Sequence, residues 1–418
     1  MDQRFPRKRA WQATSVEIVE RGMEAIMIKV MHIITTLGPA GAENMLCRIA
    51  AGMDRTRFDN EVVSLTGILD LADRMQSIGV RVRTLGMKKA IPNPLLVMQL
   101  ARWIRESKPD VIHTWMYHAN LIGSLAARLA GNVPVVWAIH HNAYDPRVDK
   151  RRTMLVNRAC AFLSRKCAAR IVFCSEASLR THKKLSYAAE KLEVIPNGFD
   201  LEQVKPDPAA RESLRAELGI PPDAIVLGFA ARFHPHKDHH NFIQAAERLH
   251  KLRPDVHFLL FGMGITWENA QLARWIDSAG IRERCHLLGL RQDISRLFSG
   301  IDIATTASRS EAFPIVVGEA MACETPCVVT DVGDSALIVE NTGSVVAPED
   351  PHALAEAWRS LIDAGPAVRR RLGIAARDRV QRHFSLSAVV ESYQKIYAQV
   401  AARPQQELPS AGLSQFAQ

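Results

Sequence analysis

"IPNGFDLEQVKPDPAA", residues 195–210, is polar and places Pro196, Gly198, Pro206 and Pro208 within one short stretch. Proline fixes φ and removes an N–H, and glycine loosens the chain, so this composition suits the period of neither a helix nor a strand. It reads as a boundary between two units. On its N-terminal side, short apolar runs alternate with helix-period segments: VMHIITT, EVVSL, VRVRTL, DVIHTW, VPVVWAIH, RIVFCS and LEVIPNG. A second series follows it, AIVLGFAA, VHFLLFG, CHLLG, IDIATT, PCVVT and GSVVA, again with helical stretches between. This alternation is the pattern of parallel strands joined by crossover helices. The expected fold is α/β, with two doubly wound Rossmann-like domains facing each other across a cleft, residues 27–199 forming the first and 200–384 the second. SLSAVVESYQKIYAQVAA, residues 385–402, has helical apolar spacing and is expected to pack back on the first domain. Residues 1–26 and 403–418 read as disordered extensions.

Composition narrows the classes of function. A chain of 418 residues exceeds a single core, which agrees with two domains. No apolar run approaches the roughly 20 residues needed to span a bilayer, so a transmembrane protein is excluded. The seven cysteines form no C-x-x-C pair, which points away from a disulfide framework or zinc site and towards a reducing cytoplasm. The segment before Met27 lacks the apolar stretch and small-residue cleavage site of a secretory signal. The formal charge of +9 favours polyanions: anionic lipid, nucleic acid or phosphorylated small molecules. Much of the excess lies between Arg147 and Lys184, which reads either as a solvated helix face or as a membrane-surface patch.

In open parallel sheets ligands bind beyond the carboxyl ends of the strands, so the loops there carry the chemistry. TTLGPAGAEN follows the first strand, and its Gly38 and Gly41 let backbone approach a ligand at a helix start that favours phosphate. It is no complete G-x-G-x-x-G, and the second strand ends in SLTG without the acid that holds a nicotinamide ribose. ARFHPHKDHH opens the second series, where Arg232 and Lys237 beside a helix N-terminus make a diphosphate site. Its histidines lack an acidic partner other than Asp238, and the adjacent cations would repel a metal. In SRSEAFPIVVGEAMA, residues 308–322, Glu311 falls in a loop and Glu319 inside the helix that Pro314 begins. Glu319 is flanked by Val316, Val317, Ala320 and Met321, and a carboxylate so buried needs partners such as hydroxyl groups.

In combination, the glycine-rich loop ending GAE, the R-x4-K loop, VIPNGFD at the boundary and the E-x7-E of EAFPIVVGE resemble the GT-B glycosyltransferases of family 4. These transfer a sugar from a nucleotide donor with retention of anomeric configuration, and the resemblance spans about residues 27–402. It implies that Gly41 borders the donor phosphates, Arg232 and Lys237 bind the diphosphate, Glu311 contacts the donor sugar and Glu319 the ribose hydroxyls. Backbone near Leu290 and Arg291 is expected to meet the base. His140, ending VPVVWAIH, matches the family's active-site histidine, with His141 leaving the register open; His113 and His118, flanking TWMY, are candidates for the acceptor side.

The resemblance implies a nucleotide-sugar donor as substrate, no resident cofactor, and a glycan or lipid-linked acceptor. The stretch VVGEAMACETPCVVTDVGD suggests bacterial surface polysaccharide or lipopolysaccharide synthesis, in the cytoplasm or at the cytoplasmic face of the inner membrane. The chain contains no D-x-D, so transfer is expected to be metal-independent, Arg232 and Lys237 supplying the charge. Two other readings share the scaffold, a nucleotide-sugar epimerase and a non-catalytic basic protein that binds membrane or nucleic acid. The E-x7-E element argues against the first, and the intact set Arg232, Lys237, Glu311 and Glu319 against the second. Nucleic acid is not expected as a partner.

Overall fold

The computed structural model describes residues 27–38, 41–67, 71–88, 93–142 and 151–402; the N-terminal extension and C-terminal tail expected from the sequence lie outside them. Seven parallel strands form the first sheet: β1 Ile28–Ile34, β2 Phe58–Ser64, β3 Arg81–Thr84, β4 Val111–Trp115, β5 Val135–Ile139, β6 Arg170–Phe173 and β7 Leu192–Val194. Their order is β3-β2-β1-β4-β5-β6-β7. Six more form the second: β8 Val226–Ala230, β9 His257–Phe261, β10 Cys285–Leu287, β11 Ile303–Thr306, β12 Cys327–Thr330 and β13 Ser344–Val346. These run in the order β10-β9-β8-β11-β12-β13. The chain is thus an α/β protein of two Rossmann-like halves.

The central strands read as continuous apolar runs because helices cover both faces. Every residue of β5, VVWAI, and of β8, VLGFA, is buried. On one face of the first sheet lie the helices Gly41–Gly52, Leu71–Ser77 and Leu386–Ala401; on the other lie Pro94–Ser107, Met116–Leu129 and Arg151–Cys167. The helix Leu386–Ala401 buries Val389, Val390, Tyr393, Ile396, Tyr397 and Val400, a stripe at helical spacing, against residues of β1, β2 and β4. The last helix of the chain therefore completes the core of the first half.

To reach it the chain passes twice between the halves at one place. Phe199 N–H donates to Phe384 O at 2.9 Å, and Leu386 N–H donates to Phe199 O at 2.9 Å. A Cβ on Gly198 would lie 2.8 Å from Leu386 Cα, so this crossing requires glycine there.

Each sheet reverses its strand order once, between β1 and β4 and between β8 and β11. The crevice outside the carboxyl ends at such a switch point is where an open α/β sheet binds ligands. Here the two crevices face each other, and contacts between the halves, described below, run across the space between them.

Candidate active site

The second half contributes two loops. After β8, Arg232 is exposed, and the chain makes a tight turn, Pro235–Lys237, before Asp238 caps the helix His239–Leu252 by accepting from Asn241 N–H at 3.3 Å. After β11 comes the loop bearing Glu311. The two loops are stapled together. Lys237 ion-pairs with Glu311, Arg309 N–H donates to His236 O at 2.8 Å, and Arg309 grips Asp238 at 2.6 and 3.1 Å. Ser308 Oγ donates to Glu311 at 2.7 Å, and Thr330 Oγ1 donates to Ser308 O at 2.8 Å. Arg232, Lys237 and Glu311, read separately along the sequence, are thereby brought to one sheet edge.

Glu319 lies in the helix Ile315–Ala322, where burial raises its carboxyl above the ordinary range and the charge of Arg48 pulls it back. Arg48 belongs to the helix Gly41–Gly52 of the first half and donates to Glu319 at 2.9 Å. Gly41 opens that helix, and a Cβ there would meet Ile315 Cδ1 at 3.4 Å, so the helix starts of the two halves approach each other. Glu43 in its first turn has its carboxyl raised by burial, with Arg232 across the cleft opposing the rise. The first half thus already carries both an acid and a base aimed at the charged loops of the second.

His140 follows β5. Its backbone N–H donates to Met116 Sδ at 3.3 Å, and its ring stacks on Trp115 with centroids 5.2 Å apart at 27°. Burial lowers its pKa to about 4, with the nearby Asn197 side chain of the VIPNGFD segment opposing the drop, so the imidazole is neutral near pH 7. Met116 has φ 71°, a left-handed conformation uncommon outside glycine. This backbone, at the end of β4, lets the strand turn directly into the helix Met116–Leu129 and places the thioether beneath His140. Strained backbone of this kind clusters at functional sites.

His118 is half-buried in the first turn of that helix, and burial lowers its pKa. His113 does not reach the cleft, and the expectation that it serves the acceptor is corrected. It sits two residues before the end of β4, is fully buried, and its Nδ1 pairs with Tyr397 Oη at 2.7 Å beneath the helix Leu386–Ala401. There it is a core residue. Leu290 and Arg291 follow β10; the Leu290 side chain is exposed, and Arg291 is engaged by Asp293 at 2.6 Å and Glu217 at 2.9 Å.

The residues of the site that sequence reasoning missed are Arg48 and Glu43, both of which meet the opposite half. Arg48 carried a signal: it is the lone charge in MLCRIAAG, a stretch otherwise apolar. Among the described residues, no group of three or more His, Cys, Asp or Glu side chains is placed to hold a metal ion.

Two family models match the chain, "Glycosyltransferase Family 4" over residues 39–203 and "Glycosyl transferases group 1" over residues 210–379. A UDP-Gal:alpha-D-GlcNAc-diphosphoundecaprenol alpha-1,3-galactosyltransferase of Escherichia coli is 25% identical over 322 residues, covering 75% of this chain and 82% of its own. A D-inositol 3-phosphate glycosyltransferase of Mycobacterium sp. (strain KMS) is 33% identical over 192 residues, 44% of this chain and 42% of its own. Among solved structures, Anabaena HepE in complex with UDP and glucose superposes with a TM-score of 0.79 at 23% identity, covering 89% of this chain and 100% of its own. WaaG, a glycosyltransferase involved in lipopolysaccharide biosynthesis, superposes at 0.69 with 18% identity, covering 88% and 99%. The chain belongs to the GT-B glycosyltransferases of family 4. Glycosyl transfer is its activity.

Proposed function

We propose that this glycosyltransferase moves a sugar, with retention of anomeric configuration, from a uridine-diphosphate donor to a glycan or lipid-linked acceptor in bacterial surface polysaccharide or lipopolysaccharide synthesis. The observation that carries the reading is the stapled pair of loops at the second switch point, where Arg232, Lys237 and Glu311 converge beside a helix N-terminus. Fixed cations and free N–H groups there would stabilise the diphosphate as the glycosidic bond breaks, without waiting for solvent to reorganise. Glu319 would take the ribose hydroxyls, with Arg48 holding its carboxylate in place. His140, neutral and fixed on Trp115, would face the sugar from the other half. Among the described residues no pair of carboxylates is evident as a nucleophile and an acid, which favours front-face attack over a covalent glycosyl intermediate. Uridine is chosen because the Escherichia coli relative is named for UDP-Gal and HepE is described with UDP.

The acceptor side suggests work at a membrane surface. Among the described residues no helix is long and apolar enough to cross a membrane. The helix Arg151–Cys167, however, exposes Leu155 and Phe162 by 63% and 84% on the stripe that also carries Arg151, Arg158 and Arg165. Apolar side chains among cations suit an anionic lipid surface, and such binding weakens with salt. Phe162→Ser should reduce sedimentation with anionic vesicles at low salt; equal sedimentation with anionic and neutral vesicles would remove the membrane part of the proposal.

The central test is thermal-shift measurement with UDP, GDP and their sugars, followed by product analysis with and without acceptor. A ligand at 100 times its dissociation constant stabilises by about 2.7 kcal/mol. The proposal expects a shift with UDP-sugar and a new glycoside only when acceptor is present. A changed sugar nucleotide formed without acceptor would establish the epimerase instead.

A further inference from the structure

One buried carboxylate bridges the halves without belonging to any site described so far. Asp334, 4% exposed, lies between β12 and β13, and its two oxygens accept from the backbone N–H groups of Glu176 at 2.8 Å and Ala177 at 2.9 Å. Those residues begin the helix Glu176–Lys184 of the first half, whose own cap, Ser175 Oγ, serves only the N–H of Ser178 at 3.1 Å. Asp334 therefore satisfies two orphan donors that the first half leaves open, and its charge is favourable at a helix N-terminus. The contact is charge-assisted and bidentate, so it fixes orientation as well as separation.

Both ends of this bridge lead to the reacting groups. On the second half, Asp334 N–H donates to Ala312 O at 3.0 Å, the residue after Glu311. The preceding Gly333 has φ 61°, and a Cβ there would lie 2.5 Å from Glu311 O, so the two loops are in backbone contact. On the first half, Ser178, one turn into the helix, donates its hydroxyl to His141 O, the residue after His140. A continuous path of hydrogen bonds thus runs from the Glu311 loop through Asp334 and the helix Glu176–Lys184 to the end of β5.

We infer that Asp334 is a positioning residue for transfer: its carboxylate closes the two halves on each other in the register that sets His140 opposite the sugar held by Glu311. The catalytic importance rests on the site proposed above, whereas the closure itself does not. Misplacement of reacting groups by about 1 Å costs ~10²-fold in rate. Asp334 touches neither the Arg232 and Lys237 loop nor Glu319, so nucleotide binding should not need it.

The test compares Asp334→Ala and Asp334→Asn with wild type in the full chain. Small-angle scattering should give a larger radius of gyration for Asp334→Ala, with Asp334→Asn between, since an amide oxygen can keep one of the two bonds. UDP affinity by calorimetry and KM for donor should stay within about twofold, while kcat falls ~10²-fold in Asp334→Ala and less in Asp334→Asn. If the alanine variant fails to fold, the asparagine variant carries the same comparison. Wild-type kcat and wild-type radius in the asparagine variant, or in both, would overturn the inference. Loss of UDP binding in step with kcat would overturn it too, by making Asp334 part of the donor site. A wild-type protein that neither binds UDP nor transfers sugar would refute the proposed function while leaving the scattering comparison to judge the closure.

Discussion

The two halves meet the cleft with different chemistry. The second half lines it with charge: Arg232, exposed just beyond β8, Lys237 paired with Glu311, and Glu319 paired with Arg48 across the cleft. The first half adds, beside Glu43 and Arg48, the neutral His140 stacked on Trp115. A diphosphate must be bound by charge that is already in place, whereas a sugar hydroxyl needs a hydrogen-bonding partner that does not carry charge into a dry site. What the first half adds is therefore a polar group held without charge beside the fixed charges.

The sharpest break of this contrast is acid. Burial lowers the pKa of His32, His182 and His239 to about 4 from the ordinary 6.5. The unfolded chain then binds more protons between these values, so the stability these residues contribute is complete above pH 6.5 and is lost as pH falls towards 4. The unfolding free energy from denaturant titrations should drop between pH 7 and pH 5 by an amount on the order of several kcal/mol, and His182→Gln should flatten that slope. A midpoint independent of pH over this range would mean that the histidines are not held neutral.

Next in size is His140→Ala, which should cut kcat by ~10²- to 10³-fold, as expected for removing one group that hydrogen-bonds where charge develops. Since the imidazole is held neutral, the wild-type rate should show no limb near pH 6.5. A limb there that disappears in His140→Ala would give the residue an ordinary pKa and erase the distinction between the halves.

Lys237→Ala and Arg232→Ala should each weaken UDP binding by roughly 1.5 to 3 kcal/mol with the thermal midpoint little changed, because both project into the cleft and away from the core. The Lys237→Ala, Glu311→Ala pair should be non-additive, given their ion pair. Unchanged affinity in both single variants would displace the diphosphate from these loops.

The smallest expected effect is none: if Arg232 and Lys237 supply the charge as proposed, EDTA should leave transfer intact. Loss of transfer in chelator, restored by magnesium or manganese, would turn an acid now assigned to protein contacts into a metal ligand.

The contrast also explains what could be read in the sequence. Runs such as VVWAI and HFLLF announce strands covered on both faces, and the acids of EAFPIVVGE stand out because apolar neighbours leave a carboxylate few local partners. The histidines were harder. His113 and His140 both stand at the carboxyl end of an apolar run, but His140 lies just past the strand while His113 is two residues short of its end, and the Tyr397 that holds it is 284 residues away. Asp334 was silent for the same reason: its partners, Glu176 and Ala177, belong to the other half, and nothing in GDSALIV marks a carboxylate that caps a helix from outside. Local pattern reveals which groups are buried; pairing across 150 residues or more is a property of the folded chain, as Arg48 and Glu319, 271 residues apart, also illustrate.

The double crossing at Phe199 and Phe384 has a consequence for recombination. Since the helix Leu386–Ala401 is built into the first half, an exchange with a relative at a single splice point near residue 200 would mate a native sheet with a foreign closing helix, leaving Tyr397 without its His113 or the reverse. An internal cassette that enters after Phe199 and leaves before Ser385 would carry the donor loops as a unit and keep that helix with its own sheet. On the proposed reading of those loops, donor choice is portable with two cuts and not with one.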